Sequence, residues 1–187
     1  MNLKKITFTG IIFIFIFSFI THNIYDWFPN FLTSILFPVN ESIWEHQKMI
    51  FYTTIIWGIV EYFWLKKLNV RYHNLISAVV LSSIFNIIIF ILIYTPIYII
   101  FGHDMISNLT IYFITIIISQ IIGCFILKQE KFLKKLNELS LILVPIIIIM
   151  FSILTYYPLK IDSLFYDSSS NKYGLYNYYD MKKVNHP

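Results

Sequence analysis

Long apolar stretches limit this chain's fold more than any other feature. A helix needs ~20 consecutive, mostly apolar residues to cross a hydrocarbon core. Stretches of that kind fall at about Ile6–Thr21, Asn74–Ile100, Met105–Leu127 and Leu139–Tyr157. A further one starts near Asn40 and runs to about Leu65, with its lipid-buried part beginning near Met49. The runs are too long and too little alternating for the strands of a membrane β-barrel. A hydrophobic fraction of 58% lies above the range usual for soluble domains. The expectation is therefore an all-α integral membrane protein, a bundle of about five transmembrane helices.

The basic residues give that bundle an orientation. Lys4 and Lys5 precede the first span, Lys66, Lys67 and Arg71 join the second to the third, and Lys128, Lys131, Lys134 and Lys135 join the fourth to the fifth. The other side receives Lys48, Lys160, Lys172, Lys182 and Lys183. Excess Lys and Arg marks the cytoplasmic side, so the N-terminus is expected inside and the C-terminus outside, in a bacterial cytoplasmic membrane. Lys4 and Lys5 before Ile6–Ile20 look like a signal peptide, but no small-x-small cleavage site follows. An uncleaved first helix is the expectation. The net charge of +4 resides in these flanking residues and forms no basic face, which argues against nucleic acid as a partner. Membrane lipid is the expected partner, and no protein partner is readable.

The segments outside the spans have distinct characters. The outer loop Thr21–Val39 is itself apolar, and Pro29 suits a first helical turn. A short helix lying in the interface is expected there, with Trp27 and Trp44 in the aromatic belt. In the inner loop Lys128–Glu138, Phe132, Leu133 and Leu136 alternate with lysines, as in a segment resting on anionic headgroups. Residues 1–157 read as the helical domain and 158–187 as a polar, Tyr-rich extracytoplasmic tail. Cys124 stands alone in an apolar run, so neither a disulfide within the chain nor a CxxC metal knuckle exists. Ala78 is the single alanine, and bulky side chains occupy positions where small ones usually permit close helix crossings.

The chemistry-bearing residues collect at one end. His22, Asp26, Asn40, Glu41, Glu45, His46, His103, Asp104, Asp162 and Asp167 all fall on the predicted outer side. Imidazoles and carboxylates are ordinary zinc ligands, and a catalytic zinc takes three of them plus water. His22, His46 and His103 are the candidate metal ligands, with a divalent metal such as zinc as the cofactor. Glu45 or Glu41 is the candidate general base, and Asp104 the group that orients a histidine. The spacing contains neither HExxH nor HxxxH. A capping role competes with this reading. Ser42-Ile43-Trp44-Glu45 matches a capping box, Asn40 is another candidate cap, and Asp104 can cap the fourth span. Deeper in the bundle, Glu61, Asn86 and Gln120 are expected either to hydrogen-bond between helices or to relay protons.

Residues 38–48, Pro-Val-Asn-Glu-Ser-Ile-Trp-Glu-His-Gln-Lys, resemble the signature P-V-N-E-S-x-W-E-H-x-K of a family of small bacterial polytopic membrane proteins of unknown function. His22 and Trp27, His103-Asp104, Pro158, Leu164-Phe165-x-Asp167 and Tyr173-Gly174 are similar to it as well, so the resemblance covers essentially the whole chain. It implies membership and no activity. The outer histidines also resemble, more distantly, membrane hydrolases of the ceramidase and adiponectin-receptor type. Those have seven spans and other spacings, so none of their residues is carried over. Three functions fit these residues. One is a metal-dependent hydrolase or transferase acting on a lipid or envelope substrate. The second is a non-catalytic sensor or scaffold, and the third a small proton-coupled transporter using Glu61.

Overall fold

The computed structural model describes residues 3–129 and 134–177. Among the described residues through Phe165 the regular structure is helical: α1 Leu3–Trp27, α2 Phe31–Leu36, α3 Ile43–Lys67, α4 Leu75–Phe101, α5 Met105–Lys128, α6 Lys134–Tyr156 and the single turn α7 Asp162–Phe165. Three two-residue strands follow, β1 Tyr166–Asp167, β2 Lys172–Tyr173 and β3 Tyr176–Asn177, paired antiparallel in the order β1-β2-β3. The chain is an all-α membrane bundle with a small β-ribbon after its last helix. The inner-loop residues Lys131, Phe132 and Leu133, and the tail lysines Lys182 and Lys183, lie outside the described residues.

Among the described residues, four helices are long and apolar enough to cross a membrane: α1, α4, α5 and the Lys135–Tyr156 part of α6. The 25-residue α3 is more polar than these, since it carries Glu45, Lys48 and Glu61. Packing explains how it tolerates them. Fifteen of its residues are buried, and it packs against α1, α4 and α7. The polar helix is thus sheathed by apolar ones. Trp57 of α3, 1% exposed, sits in a core with Ile6, Ile14, Ile50, Phe90 and Ile116. Phe51 and Tyr52 pack on Ile147 and Phe151 of α6. The few glycines answer the shortage of small residues. A Cβ on Gly10 would stand 2.6 Å from the Trp57 ring, and one on Gly58 2.5 Å from Val79, so α1 and α4 approach α3 only because these positions are bare.

Helix α2 forms where an interfacial helix is expected. Asn30, not Pro29, sets its start. The Asn30 side chain accepts from Thr33 N and the Thr33 hydroxyl accepts from Asn30 N, both at 3.1 Å, which makes a reciprocal capping box. Pro29 lies before the cap. Phe31 and Leu32 of this helix are exposed. At the opposite end of the bundle, Asn137 accepts from Ser77 N and Oγ at 3.0 and 2.6 Å, and Asn74 donates to the Gln129 carbonyl at 2.6 Å. Those bonds tie α4, α5 and α6 together far from the histidines.

Candidate metal centre

The signature segment opens α3 and is held by the chain's C-terminal part. Ser42 is the N-cap, its hydroxyl accepting from Glu45 N at 3.3 Å. Asn40 bridges two strands of chain: its Oδ1 accepts from Ser42 N at 2.9 Å and its Nδ2 donates to the Gly174 carbonyl at 2.9 Å. Glu41 N donates to Asp167 Oδ2 at 3.1 Å. Trp44 stacks on Phe165, centroids 5.0 Å apart, and meets Phe151 edge-on at 5.6 Å. Gly174 has φ +52°, and a Cβ there would collide with the Thr155 carbonyl, so only glycine lets this turn seat on α6. Burial pushes the Asp167 carboxyl up, but hydrogen bonds from Ser169, Ser170 and Glu41 N outweigh it and hold the group below its usual value.

Glu45 does not face the histidines. It is 1% exposed, and one oxygen pairs with Lys48 Nζ at 2.7 Å while also accepting from Val39 N at 3.2 Å. The other accepts from the Thr155 hydroxyl at 2.7 Å. Lys48 is fully buried and donates to the Ser34 carbonyl at 2.7 Å. The residue expected as a base, and the lysine expected as an outer surface charge, together form a buried strut joining α2, α3 and α6. Asp104 also differs from expectation. It is exposed and caps α5, accepting from Ser107 N at 2.8 Å, and among the described residues no hydrogen bond links it to a histidine. Its bonds to Ser107 hold its carboxyl below the usual range.

His22 of α1, His46 of α3 and Glu41 come together. His22 Nε2 lies 3.1 Å from His46 Nε2 and 3.4 Å from Glu41 Oε2, and His46 Nε2 lies 3.5 Å from the same oxygen. Among the described residues, these are the three whose ligand atoms converge closely enough for one metal ion. His103 is outside that group. The His46 Nδ1 atom is 2.8 Å from the Ser42 carbonyl, so Nδ1–H donates there and Nε2 presents its lone pair to Glu41 and His22. A backbone carbonyl, rather than Asp104, orients this imidazole. Sequence reasoning missed it, although the four-residue spacing from the helix cap is the signal. The neighbouring His22 holds the Glu41 carboxyl below its usual range against the opposing effect of burial, which keeps it anionic at neutral pH.

Two cavities meet at this cluster and share Glu41, His46, Phe90, His103 and Asn108 in their walls. The larger, about 310 Å³, is mostly apolar, with Phe19, Met49, Ile50 and Leu109. The smaller, about 100 Å³, adds Tyr94, Tyr98 and residues 166–169 of the β-ribbon. The Tyr94 hydroxyl is buried and has no hydrogen-bond partner among the described residues. Tyr94, Tyr98 and Asn108 carried no motif, and only the packing of α4 against α5 brings them to the site. In the deeper set, Ser82, Ser83 and Ser119 donate to carbonyls of their own helices, as packing residues do. Asn86 is fully buried, and among the described residues both its amide atoms lack a partner, so the hydrogen bond expected from Glu61 to Gln120 or Asn86 is not made to Asn86.

No curated protein and no solved structure matches the chain. One protein family does, described as a family of unknown function, DUF6512, over residues 1–175. That range takes in the helices, the signature and the ribbon turn that clamps it, and the chain belongs to this family.

Proposed function

We propose that His22, His46 and Glu41 hold a divalent metal, zinc by preference, in a hydrolase or transferase acting on a membrane amphiphile. The observation that carries this is the triangle of ligand atoms. Zinc bonds to nitrogen and oxygen at about 2.0–2.2 Å set the edges of a tetrahedron at about 3.3–3.6 Å. The edges here are 3.1, 3.4 and 3.5 Å. Two histidines and one glutamate fill three corners and leave the fourth for water or substrate, as in catalytic rather than structural zinc sites. A metal there would supply a water acidified towards a pKa of about 7 and a Lewis acid for a carbonyl or phosphoryl oxygen. Glu41 then acts as a ligand, not a base. His103, on the wall of both cavities, is the imidazole available for proton transfer.

The substrate class follows from the walls. An apolar cavity meeting a tyrosine- and serine-lined one suits a lipid-like molecule, its tail in the first and its polar group in the second. The lysine bias supports an outer-leaflet position in a bacterial cytoplasmic membrane. The test is elemental analysis of detergent-purified protein. About one zinc per chain is expected in the wild type. It should be lost in His22→Ala, His46→Ala and Glu41→Ala and retained in Asp104→Asn, whose exposed carboxylate only caps α5. Wild-type protein that stays metal-free after zinc loading and desalting would sink the reading.

A further inference from the structure

A second polar site lies in the membrane interior, remote from the histidines. A cavity of about 10 Å³ is lined by Thr7 of α1, Thr54 and Glu61 of α3, Ser82 of α4 and Gln120 of α5. That volume holds one water-sized particle. Glu61 is 5% exposed, and among the described residues no hydrogen bond or ion pair reaches its carboxylate. Gln120, 6% exposed, shares the wall without bonding it. The hydroxyl hydrogens are already used. Thr7 donates to the Leu3 carbonyl at 3.0 Å, Thr54 to Ile50 at 2.8 Å and Ser82 to Val79 at 3.0 Å. Each hydroxyl oxygen is therefore left with lone pairs only.

We propose that Glu61, Thr7, Thr54, Ser82 and Gln120 form a binding site for a monovalent cation of sodium's size. A carboxylate in hydrocarbon needs compensation, and apart from the unpartnered Trp57 indole N–H and the Gln120 amide the wall around it offers acceptor oxygens. A proton on Glu61 would supply one donor to a set of several acceptors. A small hard cation meets all of them at once and neutralises the carboxylate. The cavity shares Thr7 and Cys124 with a wider groove between α1 and α5 that reaches Lys4 and Lys128, so an ion has a way in from that end of the bundle. The site shares no residue with the metal triad and does not rest on it.

The test is thermal unfolding of the full chain in detergent, in sodium, potassium or choline chloride at equal ionic strength. Sodium is expected to raise the midpoint by about 5–10 °C at about a hundredfold excess over its dissociation constant. Potassium should do less and choline nothing. Glu61→Gln should abolish the sodium effect, and Thr54→Val should move it to higher sodium while leaving the fold intact. Equal responses to sodium and choline in the wild type would overturn the proposal. So would a protonated-carboxyl infrared band at neutral pH and saturating sodium that disappears in Glu61→Gln. Where Glu61→Gln does not fold, the Thr54→Val comparison and the wild-type infrared band decide.

Discussion

Glu45 and Lys48 tie α2, α3 and α6 together. Both are desolvated, and every oxygen of the carboxylate has a partner. Removing one member of such a pair leaves a buried charge alone and costs about 3–5 kcal/mol, whereas replacing both with groups of similar shape is often close to neutral. Lys48→Met should therefore destabilise strongly in denaturant titrations followed by tryptophan fluorescence, and Glu45→Gln/Lys48→Met should recover much of the loss. If the double variant is no more stable than the single, the pair is not the strut described. This pairing was hard to read from sequence because Ser42-x-x-Glu45 already has a complete local explanation as a capping box. Ser42 does cap α3. Which way the Glu45 side chain turns depends on Lys48, one helical turn on, and on Thr155, which sits 110 residues away.

At the scale of elements, the β-ribbon after α7 acts as a clamp on the start of α3. Its contacts are Asn40 with Gly174 and Glu41 N with Asp167, and the adjoining α7 adds Trp44 with Phe165. Asp167 and Glu41 both have carboxyls held below their usual values. The sign follows from that direction. A folded-state pKa below the unfolded one means the stabilisation is fully present above the unfolded carboxylate value of about 4 and is lost as pH falls through the folded value. Spin labels at the exposed positions Met105 and Tyr176 should keep one distance from pH 7 down to about 5 and broaden only below about 4. In Asp167→Asn the acid-induced broadening should shrink, and a profile unchanged from wild type would place the clamp's acid sensitivity elsewhere. Gly174→Ala should loosen the same element at all pH values. The individual residues of this clamp are visible in the sequence as similarities scattered over the tail. Their partnership with residues 40–44 is not, because it closes over more than 120 residues of intervening chain.

For the whole molecule, the apolar runs were legible because length and composition alone determine what can lie in hydrocarbon. The gathering of His22, His46 and Glu41 was legible in part, because lysine placement predicts both helix ends on one side. Whether His103 or Glu41 completes the group was not, since it depends on how far α5 stands from α1 and α3. The least apolar long helix, α3, carries the last question. Were α1, α4, α5 and α6 all to span, α3, running among them from the histidine end to Lys66 and Lys67, would make a fifth crossing with its two ends on opposite faces. Cysteines placed at the exposed positions Trp27 and Leu68, in a Cys124→Ala background, should then behave oppositely in intact cells. Trp27→Cys should react with a membrane-impermeant maleimide from outside, and Leu68→Cys only after permeabilisation. Reaction of both from the same side would mean that α3 returns without crossing. The histidine cluster would then sit at the mouth of a four-span protein, with Glu61 no longer held in its interior.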